Sequence, residues 1–474
     1  MTRRAGSGLR ASGRLAGHTS SILVATIASA FGVTLVLATD ILSAYIGSGQ
    51  LAAEHATVRL AVLIVAAVFL VIAIYVSAIV TANTFATIVA GRTRTIALLR
   101  LLGSSASSAR RSIAGEGLRV GAIGAVLGAV IGIGCSVAGL RVLVAADVLP
   151  DLDYPLADPL VLAPLAAVVV TTWAASWVGS RRVLTVTPLQ ALGNAEEPSR
   201  ASVVRRRGRN AVALVLFVGG TAVLAGGVAL GLSSPFALFV CVAGGAISFT
   251  GITLGAHVVM PPILRLVGRA LGRSAPARLA SANALRHSDR TSRTAIGLVI
   301  GVTLITMFAV AEASFESMIK RAQSINPSVY QGVTPVLQTT VIVFSALLGF
   351  AALIAAVGVV NSLSLSVLQR SRELGLLRAL GFEVRQVRGM ILAESTQVTI
   401  AGVITGLILG TGYGWAGAQA LLGAVPGSGL LAPSIPVPML IVIVALAAIL
   451  AVAAALVPAR RALSVSPVAA LGIE

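Results

Sequence analysis

Long uninterrupted apolar runs recur along this chain, and the polar residues are swept into the segments between them. A helix needs roughly 20 apolar residues to cross a hydrocarbon core of about 30 Å. Ten runs meet that length: residues 20–43, 58–82, 118–145, 159–179, 211–231, 235–259, 295–316, 338–362, 391–422 and 436–457. The pattern predicts an all-α integral membrane protein of about ten transmembrane helices. Composition strengthens the reading, since 57% of the 474 residues are in the set AVILMFWYC and 11% are charged. Soluble domains run at roughly 45–50% and 25%. An ordinary soluble enzyme, a disordered chain and a disulfide-rich secreted domain are all excluded.

The formal charge of +19 is distributed by topology. All but four of the 35 basic residues fall before the first run, after the last, or in every second connection between, counting Arg119 at the very start of the third run with the connection before it; the exceptions are Arg59, Arg141, Lys320 and Arg321. The opposite connections carry Asp147, Asp151, Asp153 and Asp158 instead. Lys and Arg accumulate in cytoplasmic loops, so both termini are expected in the cytoplasm of a bacterial cell, with the chain multi-pass in the cell membrane. The charge then marks orientation and contact with anionic lipid, and no nucleic-acid partner is expected. The first run, though preceded by Arg3 and Arg4, is long and lacks a small-residue cleavage site, so it is expected to be retained as a span.

The chain also repeats itself. RTRTIALLRLLG from Arg92 matches RSRELGLLRALG from Arg370, and the offset of 278 pairs Asn83 with Asn361, Glu116 with Glu394, and Gly124, Gly128 and Gly132 with Gly402, Gly406 and Gly410. At offset 279, RRVLTVTPLQALG from Arg181 matches RRALSVSPVAALG from Arg460, and Gly32-Val-Thr-Leu pairs with Gly301-Val-Thr-Leu. The expected organisation is 4+2+4: a first four-span repeat over 1–195, a basic linker with two inserted spans over 196–275, and a second repeat over 276–474. Six spans separate equivalent points, so the repeats are parallel. The glycine ladders are small-xxx-small faces for close helix packing.

Each repeat holds a short amphipathic helix between its second and third spans. In the second copy Leu374, Leu376, Leu377 and Leu380 form the apolar side, Arg372, Glu373 and Arg378 stay polar, and Gly381 is a natural stop. In the first copy the corresponding residues are Ile96, Leu98, Leu99, Leu102, Arg94, Arg100 and Gly103. Such a helix can lie on the membrane surface; its duplication favours docking to a twofold partner. Thr187 and Ser466, each followed by proline, start a further short helix in each repeat.

The run RELGLLRALGFEVRQVRGMILAES, its degenerate first-half copy and the repeated RRxLxVxPxxAL ending resemble the FtsX-like or MacB-type permeases of ABC transporters, and 4+2+4 resembles the BceB-type branch. The resemblance implies that the short helices dock in a groove of a separate ATPase subunit, a homodimer per permease chain, through Arg94, Ile96, Leu99 and Arg100 in the first repeat and Arg372, Glu373, Leu374, Leu377 and Arg378 in the second. It implies a permease subunit that couples ATP hydrolysis elsewhere to export or extraction of an amphipathic peptide, antibiotic or lipid by mechanotransmission. FtsX-like signalling to a cell-wall hydrolase and a secondary transporter with parallel repeats are the alternatives. Two departures matter: Thr95 stands where the second copy has Glu373, and the connections after the first and seventh spans, 44–57 and 317–337, are too short for the large extracytoplasmic domain of MacB-like and BceB-like members.

Chemistry on this chain itself is not expected. Lys320 is the only lysine and lacks the glycines of a phosphate-binding loop, so ATP and Mg belong to the partner. His18, His55, His257 and His287 form no metal or triad spacing, Cys135 and Cys241 sit inside apolar runs as packing residues, and no cofactor, metal or catalytic residue is expected. Asp40 and Glu312, near outer span ends, are expected to reach the interface.

Overall fold

Ser105 and Glu383, 278 residues apart, start the two longest described helices in the same way. Ser105 accepts a hydrogen bond from the Ser108 amide at 3.1 Å. Glu383 forms a reciprocal capping box with Gln386, whose Oε1 accepts from the Glu383 amide at 3.0 Å. The computed structural model describes residues 19–48, 102–180 without 148, 153, 156 and 157, 207–325 without 272–274 and 287, 380–464 without 426–428, and isolated positions over 64–98 and 327–376.

The helices used below are α1 (Thr19–Ser48), α2 (Ala106–Ala145), α3 (Leu162–Gly179), α4 (Arg207–Leu230), α5 (Ala237–Ala270), α6 (Ala275–Arg286), α7 (Ser288–Ile325), α8 (Val384–Leu422) and α9 (Val437–Ser464). No strand occurs among the described residues. In hydrocarbon only internal hydrogen bonds satisfy the backbone, so Ala-, Val- and Leu-rich runs become helices whatever their aqueous propensity. Seven of these helices are long and apolar enough to cross a membrane, and the chain is a multi-pass membrane protein. They fall on the predicted first, third, fourth, fifth, sixth, seventh and ninth spans; the tenth falls on α9, while 58–82 and 338–362 lie outside the described residues but for isolated helical positions.

Most helices outrun their apolar stretches. α2 is 40 residues, about 60 Å at 1.5 Å per residue, twice the hydrocarbon thickness. Its first turns carry Arg110 and Arg111, as those of α8 carry Arg385 and Arg388 and those of α7 carry Arg290 and Arg293, so each helix continues past the membrane on its basic side. α5 runs through Pro261 and Pro262, where the predicted span stops, to Arg265 and Arg269. On the other side α1 continues to Ser48 and α7 to Ile325, so both short connections begin as helix.

The chain divides into two compact units, Met1–Ala195 and Glu196–Glu474. In the first, α2 lies along α1 and α3. A Cβ on Gly128 would collide with the Thr26 carbonyl and come within 2.5 Å of Ser29 Cβ and 2.8 Å of the Ala30 amide, and one on Gly132 would meet Ala30 O at 2.8 Å and Val33 Cβ at 2.9 Å. Ser29 Oγ donates to Ala125 O across this contact, at 3.0 Å. In the second unit Gly406 faces Val302 and Thr303, Gly410 faces Thr303 and Thr306, and Gly414 extends the ladder to Met307 and Ala311.

These contacts correct one sequence pairing. Gly32 and Gly301 are 269 residues apart, but the residues that meet equivalent glycines, Ser29 with Val302 and Ala30 with Thr303, are 273 apart. The slip of four residues is about one helical turn, which keeps the same face inward and so leaves a plausible but displaced match in the sequence.

The inserted hairpin α4–α5 belongs to the second unit. Gly220, Gly227, Gly244 and Gly251 bring the two helices into backbone contact, and α5 then packs along α7 and α8. Gln397 Nε2 donates to Leu264 O at 2.6 Å and Tyr413 Oη donates to Ser248 Oγ at 3.1 Å. One consequence separates the two repeats. Gln397, Ala401, Thr405 and Ala416 of α8 are buried, whereas their equivalents on α2, Arg119, Ile123, Leu127 and Ala138, are exposed. Exposed large apolar side chains along α2, α4 and α9, such as Val130, Val215 and Ile441, are the lipid-facing surface.

Candidate coupling site at two leucine turns

The nine residues expected to contact an ATPase, Arg94, Ile96, Leu99, Arg100, Arg372, Glu373, Leu374, Leu377 and Arg378, lie outside the described residues. What is described is the last turn of each short helix. Leu102 donates its amide to Leu98 O at 3.1 Å, and Leu380 donates to Leu376 O at 3.0 Å. Gly103 then turns the chain with φ 94° and Gly381 with φ 93°, a left-handed conformation that only glycine adopts without strain. Two residues further on, Ser105 or Glu383 caps the following long helix.

The two turns are thus the same device built twice: a helix end, a left-handed glycine and an N-cap, which fixes the short helix at the foot of α2 or α8. Both present leucine to solvent. Leu98 is 47% exposed and Leu102 84%, and Leu376 and Leu380 are 51% and 70% exposed. Single exposed leucines need no explanation; a pair at equivalent places in two repeats, on the basic side, is an exposed apolar surface built twice.

Different neighbours brace the two elbows. In the first unit the Arg110 guanidinium lies 3.9 Å from the Trp177 ring centroid and donates through Nε and Nη2 to the Trp177 carbonyl at 3.3 and 3.1 Å, tying α2 to the end of α3. Arg110→Ala is expected to cost about 1–3 kcal/mol, the range of a hydrogen bond to a charged group with a cation–π contact. Arg111→Ala, on the exposed side, leaves thermal unfolding of the solubilised chain unchanged; equal stability of the two variants would show that the clamp carries nothing.

In the second unit α6, at the start of the second repeat, takes the bracing role; the sequence pattern did not single it out as a helix. Ala280 and Ala284, one turn apart, are fully buried, and Ala280 packs with Val387, Met390 and Ile391 of α8, with Phe382 and Val384 against the same cluster. Asn283 Nδ2 donates to the buried Glu394 carboxylate at 3.4 Å. A Cβ on Gly268 would lie 2.7 Å from Gln397 Nε2 and collide with Ser281 Oγ, so α5, α6 and α8 meet there. Alanines at spacing four are the one faint trace this brace leaves in the sequence. No group of His, Cys, Asp or Glu that could hold a metal occurs among the described residues.

The family described as FtsX-like permease C-terminal matches residues 67–188 and 345–467. The two matches begin 278 residues apart and end 279 apart, the offsets of the internal repeat. Among curated relatives, the uncharacterized ABC transporter permease YknZ of Bacillus subtilis is 34% identical over 96 residues, 20% of this chain and 22% of that protein. The pyoverdine export ATP-binding/permease protein PvdT of Pseudomonas savastanoi is 28% identical over 149 residues, 31% of this chain and 21% of that protein. The macrolide export ATP-binding/permease protein MacB of Bdellovibrio bacteriovorus is 28% identical over 85 residues, 18% and 13% of the two chains. The aligned stretches therefore span less than a quarter of these relatives.

Proposed function

Because the chain belongs to the FtsX-like permease family, with both matches on its two repeats, we propose that it is the membrane subunit of an ABC transporter driven by a separate nucleotide-binding dimer. The observation that carries the reading is the duplicated leucine turn. A homodimeric ATPase offers two equivalent grooves, and one chain with Leu98–Leu102 and Leu376–Leu380 offers two equivalent apolar knobs. The residues just before each turn, Arg94, Ile96, Leu99 and Arg100, and Arg372, Glu373, Leu374, Leu377 and Arg378, complete the two docking helices. Glu373 against Thr95 makes them chemically unequal.

The cargo in this reading is an amphipathic compound carried outward; two relatives are named for macrolide and pyoverdine export. Closure of the ATPase dimer on ATP and Mg pulls the two turns together. The left-handed glycines and N-caps pass that displacement to α2 and α8, which reach across the membrane as continuous rods, so the motion arrives on the far side without a wide channel. Those two relatives are named ATP-binding/permease proteins, whereas Lys320, the single lysine here, stands outside any phosphate loop.

The purified chain alone is expected to hydrolyse no ATP. Copurified from membranes with its ATPase, it should yield two ATPase chains per permease chain, measured by native mass spectrometry. Two permease chains per ATPase dimer would sink the reading, because four knobs would then face two grooves.

A further inference from the structure

From Ser395 to Ala459 the sequence carries no Asp, Glu, Lys, Arg or His. The matching stretch of the first repeat carries Arg119, Arg141, Asp147, Asp151, Asp153 and Asp158. Within the charge-free run lies the segment 429–437 that joins α8 to α9, at the end of α8 remote from Arg385 and Arg388. A water-facing connection between two spans is ordinarily the polar part of a hairpin. This one exposes Leu430, Ile435 and Val437 at 66%, 47% and 57%.

Its irregular backbone is also unusually well supplied with partners. Gln419, itself 1% exposed, donates through Nε2 to the Gly429 carbonyl and accepts through Oε1 from the Leu431 amide at 3.3 Å. Trp415 Nε1 donates to the Leu431 carbonyl at 2.7 Å, and the Ser434 amide donates to Ser314 Oγ at 3.2 Å. Non-helical backbone tolerates a water-poor environment only when its polar groups are satisfied by protein; here side chains of α7 and α8 do it. Depth follows from the last of these bonds. Ser314 lies less than one turn before Glu316, which pairs with Lys320 at 2.6 Å in the exposed continuation of α7. Segment 429–437 therefore sits at the level where α7 leaves the apolar layer.

We propose that segment 429–437 is a lipid-contacting wedge, with Leu430, Ile435 and Val437 inserted among the acyl chains and headgroup boundary of the leaflet opposite the basic face. Its partner is a bilayer surface. The matching connection of the first repeat, with Asp151 beside Leu152 and Asp158 nearby, stays in water. The wedge is held rigidly to α7 and α8, so it disturbs the leaflet at one fixed place beside the second repeat.

The test uses the full chain with Cys135→Ser and Cys241→Ala, spin-labelled at one introduced cysteine and reconstituted in phosphatidylethanolamine/phosphatidylglycerol vesicles. Leu430→Cys and Ile435→Cys replace exposed side chains, so neither burdens the fold, and each stands in if the other expresses poorly. Collision with oxygen is compared with collision with the water-soluble chelate nickel ethylenediaminediacetate. Labels at 430 and 435 are expected to favour oxygen several-fold, and a label from Leu152→Cys to favour nickel, a reversal of the ratio. Nickel access at 430 and 435 equal to that at 152 overturns the proposal. So does exclusion of both reagents, which would mean a second copy of the chain covers the segment. Neither result depends on the ATPase, so the transport reading stands or falls separately.

Discussion

Leu376→Asp together with Leu380→Asp is expected to abolish copurification of the ATPase while the chain still folds and inserts. Both leucines are more than half exposed, and surface substitutions of this kind stay within about 0.5 kcal/mol of the parent stability. Burying a leucine in a partner's groove contributes about 1.5–3 kcal/mol. At 51% and 70% exposure in the free chain, the two leucines together have about 2–4 kcal/mol of that left to gain, a factor of at least about 20 in affinity at about 1.4 kcal/mol per tenfold, before the cost of desolvating a carboxylate is added. Leu98→Asp with Leu102→Asp should weaken assembly in the same sense. The competing account lays both short helices on the membrane surface. Under it the aspartates would leave ATPase binding untouched, so a pull-down of parental strength from both double variants decides against docking.

The second large effect is on folding. Gly128→Ala is expected to lower the unfolding temperature of the solubilised chain sharply, whereas Gly134→Ala, six residues along the same helix, does not. The new methyl at 128 would run into backbone atoms of Thr26 and Ala30, which can retreat only by separating α1 from α2. Overpacking of this kind costs about 1–3 kcal/mol and occasionally more. At 134 nothing lies within 4 Å, and alanine is the better helix former by about 1 kcal/mol. The second repeat offers an independent trial in Gly406→Ala against Gly412→Ala, since 406 faces Val302 and Thr303 while 412 is open. Indistinguishable melting within each pair would show that the ladders are not the seam of the bundle.

How much was legible beforehand follows from the physics of each feature. Spans are written as length and apolarity, so α1, α2, α3, α4, α5, α7 and α8 were found; their ends were missed wherever helix continued into water past the last apolar residue, as at Arg110 or Lys320. The glycine turn at 103 and 381 could be read because left-handed backbone leaves a residue-type signature. The α6 brace could not, because an alanine seam at spacing four is weak against a background of abundant alanine, and because its value depends on α5 and α8 arriving at Gly268. The register of α1 against α7 was misread by a turn for a related reason: near-uniform apolar helices match themselves at several offsets, and only the glycine each residue touches distinguishes them. The two Leu pairs were named as parts of amphipathic helices, but their exposure became visible only with the elbows in place.

The hairpin that covers α8 bears on how two copies of one sequence come to differ. After a duplication both copies start from the same side chains, and their later drift is governed by what surrounds each. On the covered copy, position 397 must be an amide that reaches Leu264, and 401 and 405 must stay small. In the first repeat the equivalent positions are exposed and hold Arg119, Ile123 and Leu127. The two copies therefore differ most where their neighbours differ.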